Sequence, residues 1–145
     1  MVGATDPTYL VGLIDAAAGW EARTRDDYAS YLGMTAKVWT GSTTLSLQSV
    51  FGDAADLKTT PPDGPNWPAD LLGRRSHFIN CHGADSDDHF YGQEGNTFPV
   101  AHDGKLIDGQ ITPGTVVAAE CCYGAQLYDP TGLGGHLVHV VADHV

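Results

Sequence analysis

Basic side chains are scarce in this sequence. Seven Lys and Arg stand against 18 Asp and Glu in 145 residues, a formal net charge of -11. Affinity for nucleic acid rests largely on cationic side chains that neutralise phosphates, so no nucleic-acid surface is expected. Long apolar runs are missing too: nothing approaches the ~18–20 residues needed to cross a bilayer, and no membrane association is expected. The opening MVGATDPTYL lacks the basic start and apolar centre of a secretion signal, which makes a cytoplasmic location the default expectation. Cysteine is sparse and odd in number. Three Cys cannot close a disulfide framework within one chain, and the adjacent pair Cys121-Cys122 has side chains that diverge. Thiols beside apolar runs usually act as small buried hydrophobes, so a reducing compartment is the simpler expectation.

What is present suits one domain spanning residues 1–145. The hydrophobic fraction is 42% and the mean hydropathy is -0.16, enough for one real core and too little chain for two. Eighteen Gly and 8 Pro promise many turns. There is no internal repeat and no low-complexity segment.

Thr5-Asp6-Pro7 reads as a helix start, with a capping Asp before Pro at the first helical position. Leu10, Leu13, Ile14 and Ala17 recur at helical spacing, and Trp20, Tyr28 and Leu32 extend the apolar side. The expectation is a helix over about residues 7–32, broken at Gly19 and closed by Gly33. Ala36–Thr40 reads as a short strand closed by Gly41. Leu45–Leu57 reads as a second helix with Leu45, Val50, Ala54 and Leu57 inward. The proline-dense segment 59–68 is a surface loop, and a turn over Ala69–Leu72 follows. Ser76–Cys81 is a strand that runs into His82-Gly83. Residues 84–96 are polar and acidic, hence loop, and Lys105–Ile111 suggests a hairpin arm around Asp108-Gly109. Pro113-Gly114 turns the chain into Thr115–Ala119, the apolar run of a buried central strand that ends in Glu120-Cys121-Cys122. Leu137–Val141 is the last β-favouring stretch.

Helices and strands alternate, which fits an α/β fold with a mostly parallel sheet. Such sheets collect functional groups at the carboxyl ends of their strands. Two strands here end in chemistry: one in Cys81-His82-Gly83, the other in Cys121-Cys122. A thiol attacks a carbonyl as thiolate and needs a base or cation nearby. If the two strands are neighbours, about 5 Å apart, His82 comes within reach of Cys121 or Cys122. Gly83 has no side chain to keep a substrate oxygen from its backbone N–H, which with the N–H of the nucleophile would form an oxyanion hole.

The blocks HFINCHG (77–83) and VVAAECCYG (116–124), an apolar strand ending in His-Gly and a second ending in an acidic residue, a small residue and Cys, resemble the caspase-fold cysteine peptidases. The gingipain- and clostripain-like branch is the nearer one. The resemblance covers mainly residues 76–128. It implies a three-layer caspase-like sandwich around a mostly parallel sheet, truncated here because the family's domains are longer. It also implies a His/Cys dyad that cleaves peptide or protein substrates through a thioester, with no metal or organic cofactor in the chemistry. Carried over by motif, His82 is the general acid/base and Gly83 an oxyanion donor. Cys122 is the nucleophile if Cys121 fills the small position, while Cys121 is the nucleophile in the alternative register. Acidic residues after the histidine, Asp85, Asp87, Asp88 and Glu94, suit an Arg or Lys at the cleaved position, and Phe90, Tyr91 and Phe98 are candidate pocket walls.

Two other readings stand beside this one. Cys81, His82, His89, His102, Cys121 and Cys122 could ligate zinc, although no Cys-x-x-Cys is present and His136 and His139 match no ligand pair nearby. The chain could also be a non-catalytic binding domain that keeps the caspase-like shell.

Overall fold

The computed structural model describes residues 7–84, 89–107 and 109–122; the Leu137–Val141 stretch lies outside them. Helix α1 (Pro7–Ala18) begins at the expected proline and gives way at Gly19 to a 3-10 turn, Gly19–Ala22. The expected continuation to residue 32 does not form. A second 3-10 turn, Arg25–Tyr28, is closed by a capping box in which Asp27 accepts from the Thr24 backbone N–H at 2.6 Å. Strand β1 (Tyr31–Ala36) then occupies what reads in sequence as the helix end. All six of its residues are buried, so tertiary packing overrides the helical spacing of Tyr28 and Leu32.

The expected strand at 36–40 is a 3-10 turn, Lys37–Trp39, leading into helix α2 (Thr40–Phe51). That helix starts five residues before the expected Leu45–Leu57 span and buries Thr43 and Leu47, leaving Leu45 and Val50 exposed. It ends at Gly52, whose φ of 90° is the left-handed cap that glycine adopts without strain. Strand β2 (Leu57–Thr60), a proline-rich loop and helix α3 (Ala69–Leu72) lead to β3 (Ser76–Asn80), close to its expected place. The segment read as loop at 84–96 instead supplies β5 (His89–Tyr91), which pairs antiparallel with β4 (His82–Gly83) and with β6 (Val100–Asp103). The expected hairpin over 105–111 is a helical turn, α4 (Gly104–Ile107). Strand β7 (Val116–Glu120) follows.

The main sheet is parallel throughout, in the order β2-β1-β3-β7, and β4-β5-β6 form a small antiparallel sheet beside it. This is a mixed α/β architecture. Strand β7 corrects the expectation of a buried central strand: among the described residues it borders only β3, and its burial alternates, with Val116 59% exposed.

The two faces of the sheet are packed differently. On one, Leu32, Met34, Ile79 and Cys81 join Leu71, Leu72, Phe90, Ala101, Ile107 and Ile111 in the core, with Val117, Ala119 and Cys121 packed against them. Each fully buried Leu, Ile or Met contributes about 1.5–3 kcal/mol by removal from water. On the other face, α2 lays Leu47 over Gly33, so closely that a Cβ there would sit 2.7 Å from a Leu47 methyl. A polar line crosses this face: Thr43 bonds Thr35 at 2.8 Å and accepts from Asn80 at 3.0 Å. The chain leaves β1 on the α2 face and leaves β2 on the α3 face. Between β1 and β3 the winding therefore reverses, and the crevice at their carboxyl ends is where such sheets place ligands.

Candidate functional site

Strands β3 and β7 run parallel with Ser76 opposite Val116 and Asn80 opposite Glu120. The ladder ends at that pair; Cys81 and Cys121 follow it and lie near one another, while His82 passes into β4 opposite Tyr91 and Cys122 lies in the turn after β7. Burial separates these four groups. Cys81 and Cys121 turn toward the core, Cys81 1% exposed and Cys121 packed against the apolar cluster. Burial pushes the Cys81 thiol up to about 12, with Cys121 nearby adding to the shift. Burial likewise raises Cys121 to about 11, with a smaller contribution from Cys122. A thiol so far above neutrality is almost wholly protonated at pH 7 and is a poor nucleophile. Cys122 is exposed.

His82 is half-buried where β1, the small sheet and the N-terminal end of α2 meet. Its ring lies between Trp39, at 4.4 Å and tilted by 43°, and Phe98, at 5.1 Å and edge-on. Nε2 is 2.8 Å from Oε1 of Gln93. Among the described residues this is the polar partner of His82; neither Cys121 nor Cys122 is hydrogen-bonded to it. Gly83 stands opposite Phe90 in the β4–β5 ladder.

The remaining expected groups are placed as follows. Phe90 is fully buried and serves the core, Tyr91 is half-buried opposite His82, and Phe98 is 52% exposed against the histidine. Asp85, Asp87 and Asp88 lie outside the described residues. Glu94 is paired with Lys37, so its charge is already matched. The zinc set does not converge: among the described residues no three of His, Cys, Asp and Glu are arranged to hold a metal ion. His89 faces Asp103 at 3.4 Å, and His102 stacks on Phe90 inside the core. His136 and His139 fall outside the described residues.

Two features of the region have no counterpart in the sequence reading. The first is Gln93, held where it meets His82 by its neighbours: the Gln93 N–H donates to the Thr60 carbonyl at 3.2 Å and Gly92 N–H to the Pro99 carbonyl at 2.8 Å. Gly92 is required there, because a Cβ would lie 2.2 Å from the Thr60 carbonyl oxygen. A lone Gln carries no motif, so only the turn glycine before it hinted at a close approach. The second is an apolar groove of about 500 Å³ lined by Tyr28, Val50, Phe51, Phe78, Val116 and Ala118. It runs along the α2 face toward the amino ends of β3 and β7, away from His82.

Among known proteins, no family model, no curated protein and no solved structure matches this chain.

Proposed function

We propose that this chain is a cysteine peptidase of caspase-like fold in which His82 and Cys122 form the dyad. One observation carries the reading: the in-register parallel pairing of β3 and β7 brings the two chemically loaded strand ends together. The strand order, with a reversal of winding beside β3, supports a doubly wound sheet of the kind the caspase-like sandwich is built on. Burial separates the two candidate nucleophiles. Cys121 is partly buried against the core with a raised pKa, whereas Cys122 is exposed, which favours the register with Cys121 as the small residue.

In this reading His82 takes the Cys122 proton, and the thiolate sulfur attacks the scissile carbonyl carbon. The carbonyl π pair moves to oxygen, and the backbone N–H groups of Gly83 and Cys122 hold that oxyanion. Collapse breaks the C–N bond, and the departing amine takes the proton from His82. Water then attacks the thioester with His82 as base, releasing the acid and restoring the thiol. Trp39 and Phe98 shield the imidazole from bulk water on two sides.

The test is a combined activity and labelling series. Wild type, Cys121→Ala, Cys122→Ala and His82→Ala are assayed on a pool of fluorogenic peptides and with an iodoacetamide probe at pH 7. Hydrolysis and fast labelling should both vanish in Cys122→Ala and fall steeply in His82→Ala. Sluggish, equal labelling in all four proteins, with no hydrolysis, would leave a binding domain in place of an enzyme.

A further inference from the structure

Gln93 is eleven residues beyond the histidine and belongs to no motif, yet its amide is fixed at both ends. Its Nε2 lies 2.9 Å from the Gly95 carbonyl oxygen. A carbonyl only accepts, so the amide nitrogen must face it, and Oε1 is the atom left facing His82. Oε1 also only accepts. The hydrogen on this 2.8 Å contact therefore belongs to the imidazole, and His82 is protonated at Nε2. In the neutral ring the lone pair is then on Nδ1.

We infer that Gln93 is a positioning residue that holds His82 in its Nε2–H tautomer, so that Nδ1 is the atom that accepts the Cys122 proton. The inference rests on the dyad proposed above and adds to it the atom and the device. The rest of the pocket fits this role. Trp39 and Phe98 hold the ring by its faces and edge but offer no acceptor from their aromatic carbons, so they restrict its tilt and not its protonation. Gly92, pressed against Thr60, and the Gln93 N–H bond to the Thr60 carbonyl anchor Gln93 to the end of β2. The amide is thus tied to the main sheet by its backbone and to its own turn by its side chain. Proton transfer from Sγ of Cys122 to Nδ1 yields thiolate and imidazolium, and the imidazolium keeps its Nε2–H bond to Gln93 throughout. A neutral acceptor orients the ring without placing a charge beside it.

The experiment reads the tautomer directly. Long-range proton–nitrogen correlation spectra of the ¹⁵N-labelled protein at pH 8.5 are recorded for wild type, Gln93→Leu and Gln93→Glu, with His82→Ala identifying the signals. Cys122 labelling rates are measured on the same samples. Wild type should show His82 protonated at Nε2. Gln93→Leu should populate the Nδ1–H form and slow labelling by at least about tenfold, because a histidine in the wrong tautomer presents a proton where a lone pair is needed. Gln93→Glu keeps an acceptor for Nε2–H but loses the donor to the Gly95 carbonyl oxygen, so it should hold more of the Nε2–H form, and label Cys122 faster, than Gln93→Leu. If the leucine variant proves unfolded, the glutamate variant decides alone: an Nδ1–H form predominating in the folded protein overturns the inference. An unchanged tautomer and rate in folded Gln93→Leu overturns it equally. If the tautomer responds to Gln93 while labelling is indifferent to both Gln93 and His82, the dyad fails and the role of Gln93 as tautomer anchor stands.

Discussion

The cysteines at the carboxyl ends of β3 and β7 lie in opposite surroundings. On the core face Cys81 and Cys121 sit among Ile79, Ala119 and Phe90, and their thiols are raised to about 12 and 11. The next residue in each case, His82 in β4 and Cys122 in the turn after β7, is outside that core, the first beside Trp39 and Phe98 and the second exposed. One step along the chain separates a thiol packed against the core from an accessible one. The lesson concerns reading such pairs: burial, more than residue type, tells two neighbouring thiols apart.

The largest effect that breaks this comparison is catalytic. Removing Cys122 as Cys122→Ala should abolish peptide hydrolysis, whereas Cys121→Ala should keep most of it and lower the thermal midpoint instead. His82→Ala should slow hydrolysis by roughly 10²–10⁴-fold, the usual contribution of a positioned acid/base. Equal losses in the two cysteine variants would place both thiols at the chemistry.

Stability on the two sides of α2 sharpens the comparison next. Leu47 is fully buried against Gly33, and Leu47→Ala should cost about 2–5 kcal/mol in denaturant unfolding. Leu45 is 67% exposed, and Leu45→Ala should stay within about 0.5 kcal/mol. A reversed order would restore the helix phase expected from sequence.

A third effect arises in the core itself. His77 is 2% exposed and its ring nitrogens make no well-formed hydrogen bond. Burial holds its pKa down to about 4, against a weaker opposing pull from the backbone of Leu72 and Arg74. The unfolded chain, with an ordinary histidine near 6.5, binds the proton more readily than the folded one. The neutral side chain's contribution is therefore fully present above pH 6.5 and is lost as the pH falls toward 4. The loss should reach about 3 kcal/mol, measured as the pH dependence of unfolding. His77→Leu should flatten that part of the curve. The smallest effect belongs to the surface: Lys37→Met, which breaks the half-exposed pair with Glu94, should change stability by less than about 1 kcal/mol.

The parts of this molecule legible in the sequence are those where local and tertiary signals agree. Pro7 starts a helix, Gly19 breaks it, and β3 and β7 are apolar runs bounded by turns and tipped with His and Cys. Strand β1 was hidden because Leu32 continued a helical spacing and Gly33 resembled a helix cap. That glycine instead makes room for the Leu47 methyl. Helix α2 was misphased because its inward residue Thr43 is polar and is buried for its bonds to Thr35 and Asn80, partners distant in sequence. Strand β5 was lost in a polar neighbourhood because its pairing with β4 and β6 is wholly tertiary. At the candidate site, the positions of His82 and the cysteine pair at the ends of apolar strands were legible. The meeting of Gln93 with His82 was not, since it depends on a turn anchored to Thr60.

The most direct measurement is a timed pulse of iodoacetamide on the folded protein at pH 7, with mass-spectrometric mapping of each cysteine in wild type and His82→Ala. Cys122 should be modified first, well ahead of Cys121 and Cys81, and its rate should fall at least tenfold without His82, within the range of a lost general base. Modification of Cys121 before Cys122, or a Cys122 rate unchanged by His82→Ala, would contradict the assignment of the two thiols and of the dyad built on it.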